Sequence, residues 1–143
     1  MKTKISSLLI ILTLVSCLSN AQDTKQKEVK SALEAYINAG DINNVEKLKP
    51  HLHSNFRVAL YDAKKRGISI LDKSTYLSFI GSKKFGGYKR KTTYENIEFI
   101  GKNMASIKAT LTSPGKPTLK NFYSLVKTNN AWVVIQDYVT LVQ

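Results

Sequence analysis

Helical spacing of apolar residues dominates the first part of the chain, interrupted by one short hairpin, and gives way near residue 88 to a sustained period of two. From Glu28 onward, Val29, Leu33, Tyr36 and Ile37 recur at i, i+4, i+7 and i+8, the stripe of an amphipathic helix. Ala32 and Ala35 raise its propensity, and Gly40 marks its stop. Asp41 is placed to cap a second, shorter helix carrying Val45 and Leu48, which Pro50 limits. Residues 51–55 lead out of that helix. Phe56 to Tyr61 follows as a strand, with Phe56, Val58 and Leu60 on one side and Arg57 and Ala59 on the other. After a polar turn at 62–67, residues 68–71 pair back as a short strand. Asp72 can cap a third helix with Tyr76, Leu77, Phe79 and Ile80, which Gly81 and the Gly86-Gly87 pair end.

Beyond Tyr88 the period is two. Residues 93–100 alternate, with Tyr94, Asn96, Glu98 and Ile100 on one face and Thr93, Glu95, Ile97 and Phe99 on the other. In 104–112, Ala105, Ile107, Ala109 and Leu111 point inward. Ser113-Pro114-Gly115 is a turn, and strands at 119–127 and 131–141 follow, with a turn at 128–130 between them. Helices gathered ahead of an antiparallel meander predict an α+β domain, with helices on one face of a curved sheet.

The first residues form a separate unit. Lys2 and Lys4 precede an apolar stretch from Ile5 to Val15, and Ser19-Asn20-Ala21 supplies small side chains where a signal peptidase cuts. That stretch is shorter than the roughly 20 residues a membrane span needs. The expectation is a signal peptide at 1–21, a polar leader at 22–27 and a single domain at 28–143, exported to the periplasm or secreted. Leu14-Val15-Ser16-Cys17 resembles a lipobox, so the alternative is a lipoprotein anchored through Cys17. The formal charge of +12 falls to +10 once Lys2 and Lys4 leave, and the remaining 122 of 143 residues contain no cysteine and hence no disulfide framework. Such a charge suits anionic partners. For an exported chain these are envelope surfaces, contacted weakly, rather than nucleic acid.

Three segments carry a family resemblance. The first is Ala35-Tyr36-Ile37-Asn38-Ala39-Gly40-Asp41, followed by Leu48 and His53-Ser54-Asn55-Phe56-Arg57. The second is Ile97 to Ile107 around Gly101, and the third is Phe122 to Lys127 followed by Asn130-Ala131-Trp132-Val133-Val134. In this order they resemble the nuclear-transport-factor-two-like superfamily, closest to small exported bacterial members described as lumazine-binding or SnoaL-like. Ser54 and Asn55 depart from the proline and acid usual there. The resemblance implies a cone: a bent antiparallel sheet with three helices of the N-terminal half on its concave face and a pocket at the open end. Some relatives are isomerases, cyclases or dehydratases, and many only bind ligands or assemble, so homodimerisation is expected too.

Catalytic relatives place an ionisable residue in the cone beside a tyrosine, and general acid–base work needs such a group with an adjusted pKa in a dry cavity. Asp137, flanked by Ile135 and Val139, is the acid expected to point inward and the candidate catalytic group. Tyr36, Tyr61, Tyr94, Tyr123 and Trp132 are candidates to line a pocket, with Tyr138 a further aromatic and Arg57 the cation that would draw an anion. His51 and His53 lack a third ligand, so no metal is expected; one imidazole is expected to satisfy backbone near the first strand. No Gly-rich phosphate loop or Gly-x-Ser-x-Gly nucleophile motif is present, and no cofactor is implied. The leading expectation is a non-enzymatic pocket for a planar or anionic small molecule. The alternatives are a lyase or isomerase using Asp137 with a tyrosine, and an accessory domain on anionic envelope surfaces.

Overall fold

A computed structural model of the chain describes residues 5–142, with side chains described from residue 21 onward. Lys2 and Lys4, and the side chains of the apolar stretch and Cys17 on which the export and lipid-anchor expectations rest, lie outside the described residues. Helix α1 spans Ile5–Asp41, α2 Val45–Leu48 and α3 Lys73–Gly81, with a 3-10 turn at Lys49–His51. The strands are β1 (Leu52–Asp62), β2 (Gly67–Asp72), β3 (Lys91–Ile100), β4 (Met104–Thr112), β5 (Thr118–Thr128) and β6 (Ala131–Val142). They form one open sheet in the order β2-β1-β6-β5-β4-β3. The expected antiparallel pairing holds except between β1 and β6, which run parallel.

The predicted helical stripe is the core. Val29, Leu33, Tyr36 and Ile37 are buried against the sheet with Phe56, Ile107, Leu125 and Val134. The polar leader at 22–27 is helical, the first part of α1 to be described with side chains, and Lys25 donates to the Gly101 carbonyl at 3.1 Å. Gly40 lies inside α1 rather than beyond it. The cap of α2 is Asn44, whose side chain accepts from the Lys47 amide; Asp41, expected there, is buried and paired elsewhere. Asp72 caps α3 as expected, accepting from the Thr75 amide at 2.8 Å. Residues 52–55, expected as a lead-out, already belong to β1, and His53 Nδ1 accepts from the Asn55 amide at 3.1 Å.

Two register shifts re-aim side chains in the sheet. One falls between Tyr94 and Asn96. An extra residue there flips the alternation, so Tyr94 shares the core face with Ile97 and Phe99 instead of lying with Asn96 and Glu98. The other leaves Ile135 without a partner between Val134 and Gln136. It lets Trp132 and Val134, then Asp137 and Val139, all face inward although their parities differ. Strict period-two reading cannot anticipate either shift.

Candidate functional site

The core face is not filled at the end of the sheet where β1 and β6 finish. A cavity of about 290 Å³ opens there, between α1, α3, the loop 82–90 and the inner faces of β1, β5 and β6. Its walls are largely apolar, with Val58, Leu60, Leu119, Val139 and Leu141 on the sheet side and Phe85 on the loop side. Asp137, Asn121, Tyr36, Tyr76 and Tyr123 line it with polar atoms, and Arg90 with its guanidinium.

These polar groups form a short chain. Tyr36 Oη donates to Asp137 Oδ2 at 3.0 Å, and Asn121 Nδ2 donates to Asp137 Oδ1 at 2.8 Å. Tyr36 Oη and Tyr76 Oη are 3.0 Å apart. A phenol has one proton, so with Tyr36 donating to the carboxylate the Tyr76 hydroxyl donates to Tyr36 and turns lone pairs to the cavity. Asn121 Oδ1 is buried without a hydrogen-bond partner among the described residues. Phe56, fully buried, packs its ring 6.1 Å from Tyr36 and 5.2 Å from Tyr76 and so holds both phenols in place.

Electrostatics follow from this burial. Removal from water pushes the Asp137 carboxyl up to about 6; the bonds from Asn121 and Tyr36 and the Arg90 charge pull the other way without overcoming it. Burial, then the nearby carboxylate, pushes Tyr36 well above the ordinary phenol range and Tyr76 to about 12, so both stay protonated. Arg90 does not neutralise Asp137 by contact. Its Nε lies 2.5 Å from Asp41 Oδ1, and its backbone amide donates to Asp41 Oδ2 at 2.8 Å.

Besides Asp41 at its Arg90 end, Asn43 fastens the loop 82–90 at its start and middle. Asn43 Nδ2 donates to the Ile80 and Phe85 carbonyls at 2.8 and 2.6 Å. Gly86, at φ +72, lies so close to Gly40 that an added Cβ would fall 2.1 Å from the Gly40 carbonyl oxygen. Only glycine accepts both that φ and that approach.

Of the residues expected at the site, the cavity gathers Asp137, Tyr36 and Tyr123. The others lie elsewhere. Arg57 points away on the exposed face of β1 and donates to the Phe56 carbonyl, because its neighbour Phe56 takes the inward position. Tyr61 is exposed on the same side, as is Tyr138. Tyr94 reaches back to Glu34 at 3.1 Å, outside the cavity wall. Trp132 is core at the far end, against Phe99, with its indole N–H 3.3 Å from Glu28. Tyr76, Asn121, Arg90 and Asn43 belong to the site as well, though no sequence motif marks them. Asn121 had a visible signal: it occupies an inward position between Leu119 and Tyr123. Among the described residues, no group of three His, Cys, Asp or Glu side chains is placed to hold a metal ion.

No family model matches the chain, and no curated protein matches it. Solved structures do. An NTF2-like protein from Cytophaga hutchinsonii superposes with a TM-score of 0.70 at 15% identity, covering 82% of this chain and 98% of that one. An NTF2-like protein of unknown function from Methylobacillus flagellatus KT gives 0.70 at 14% identity, over 84% and 94%. A ketosteroid isomerase-like protein from Erwinia carotovora atroseptica gives 0.62 at 12% identity, over 82% and 95%. At such identities the likeness is one of fold. The chain has the NTF2-like cone fold that its motifs resemble.

Proposed function

We propose that the chain is an exported protein that binds one small, flat, mostly apolar molecule in the cavity, the ligand's polar end meeting Asp137, Tyr76 and Tyr123. The observation that carries this reading is a buried carboxyl at the polar end of an otherwise apolar cavity of about 290 Å³. Apolar walls with a few placed polar groups are the usual make-up of ligand pockets. The resemblance to lumazine-binding proteins supports a planar ring as the ligand's body. With Arg57 outside and Arg90 held by Asp41, an anionic group fits the mouth beside Lys84, not the deep end beside Asp137.

A second reading is proton transfer of the lyase or isomerase kind, favoured by the same carboxyl. At neutral pH a group held near 6 is ionised yet readily takes a proton, the condition for a general base. Asp137 would accept the proton, and the Tyr123 hydroxyl could steady the oxygen on which charge develops.

A thermal-shift screen with bicyclic aromatic rings tests binding: a ligand at a hundredfold excess over its Kd adds about 2.7 kcal/mol of stability. No shift with any ring, and none with cyclic ketones, would sink the pocket. Incubation of cyclic ketones in D2O tests the second reading. Protein-dependent deuterium uptake at carbon that vanishes in Asp137→Asn supports catalysis; binding without uptake leaves the non-enzymatic reading.

A further inference from the structure

Exposed cations crowd one end of the sheet. At the end where the cavity opens, three connections come together: the β1–β2 turn at 63–66, the loop 82–90 and the β4–β5 turn at 113–117. Besides Arg90, which is held inward by Asp41, the first carries Lys64, Lys65 and Arg66, the second Lys83, Lys84 and Lys89, and the third Lys116. All seven are exposed, and none of the three segments contains an acidic residue. Among the described residues, the only carboxylate paired with any of them is Asp62, 4.0 Å from Lys65, a contact that an exposed pair makes at little gain. Lys84 and Lys116 lie over the rings of Phe79 and Tyr88. At the opposite end Lys102 stands in the turn at 101–103, while Lys25 donates to the Gly101 carbonyl, Lys127 pairs with Glu28 and Lys73 donates to the Leu52 carbonyl, so the cations there are fewer and mostly held by the fold.

Beside the rim, on the outer face of the sheet, two apolar side chains are exposed. Tyr61 and Ile68 face each other across β1 and β2 next to the basic turn, 37% and 69% exposed. Exposed cations gathered around one opening, with no acidic residue in the segments that carry them, match the charge of an anionic bilayer surface. A nucleic-acid surface would call for cations along a groove with ring faces free for stacking; here Phe79 and Tyr88 are covered by lysine amines.

We propose that the cavity-mouth end of the domain docks on an anionic lipid bilayer, so that the cavity opens toward the membrane. This goes beyond the ligand-binding reading and holds whether or not the cavity is occupied.

The test is co-sedimentation of the protein with vesicles of phosphatidylcholine alone and of phosphatidylcholine with 30–40 mol% (roughly a third) phosphatidylglycerol. Binding is expected only to the anionic vesicles and should fade as salt shortens the Debye length. Each basic side chain near such a surface raises partition about fivefold, so the triple variant Lys65→Glu, Lys84→Glu, Lys116→Glu should bind at least roughly a hundredfold less. The variant Lys27→Glu, Lys102→Glu, Lys108→Glu makes the same change in net charge away from the mouth and should lose far less. Equal loss in both variants, equal binding to both vesicles, or no vesicle binding beside tight duplex-DNA binding would each overturn the proposal. Should the mouth variant fail to fold, lysine acetylation of the unaltered protein decides instead. Anionic vesicles should protect Lys83, Lys84 and Lys116 and leave Lys102 reactive; uniform protection or none would refute the docking.

Discussion

Replacing Asp137 by asparagine keeps the shape of the side chain and removes its titration. In the unfolded chain this carboxyl ionises near its ordinary value of 3.8; in the fold, burial moves it to about 6. Between those values the unfolded chain is ionised while the folded one keeps the proton. Stability contributed by the neutral acid is therefore complete below about 3.8 and is lost as pH rises through about 6. A shift of roughly two units at about 1.36 kcal/mol each amounts to about 3 kcal/mol. Asp137 is buried, so solvent screening does not discount the figure. The asparagine variant carries no such dependence, and Asn121 can turn its amide to offer its unpartnered Oδ1 to the new side-chain N–H₂. Urea unfolding of both proteins by circular dichroism, from pH 4 to 8, gives the difference in stability directly. Other carboxylates, including Asp72 held near 2 by its cap on α3, cancel in that difference. Between pH 4, where the unfolded carboxyl is already mostly ionised, and pH 6.5, the natural protein should lose about 2 kcal/mol of this relative to the variant, and above about pH 7 the two should run parallel. A flat difference would mean that Asp137 is solvated. A difference of opposite sign would mean that the bonds from Tyr36 and Asn121 outweigh burial.

Three further outcomes follow from the same geometry. Tyr36→Phe removes the donor to Asp137, so the fold should lose roughly 1–3 kcal/mol and Asp137 should titrate above about 6 in a carbon-13 NMR titration. Trp132→Ala empties a core position that is 6% exposed and should cost roughly 3–5 kcal/mol by urea unfolding followed by circular dichroism; an unchanged midpoint would contradict its burial. Gly86→Ala combines a positive φ with a clash on the Gly40 carbonyl, and should destabilise by more than about 1 kcal/mol and raise hydrogen exchange across 82–90.

Helix faces were legible because Val29, Leu33, Tyr36 and Ile37 follow one period, and Asp137 because a lone acid stood among apolar neighbours on the last strand. The site's other partners were not. Tyr76 reads as one more apolar position of α3, and nothing local says that its hydroxyl meets Tyr36, forty residues earlier. Arg57 and Arg90 illustrate the same limit. Both adjoin strands, but which cation reaches the cavity is decided by Phe56 taking the inner position on β1 and by Asp41 drawing Arg90 inward. Strict alternation groups Tyr94 with Asn96, because the extra residue between them leaves no mark in composition. Asn43, whose one amide fastens the loop, looks in the sequence like any polar residue between helices.

The place of β6 in the sheet bears on how the molecule is made. It follows the sheet's other five strands in the sequence, yet it lies between β1 and β5 and pairs with both. Until it arrives, a growing chain holds two separate pieces, the β1–β2 hairpin and the β3–β5 meander, with nothing joining them edge to edge. The bond from Tyr36 to Asp137 spans 101 residues, so the polar end of the cavity closes only at that final insertion. Loss of the C-terminal strand would thus divide the sheet instead of trimming it, leaving two exposed edges of the kind that recruit other chains. Until β6 pairs on both sides, no complete sheet exists.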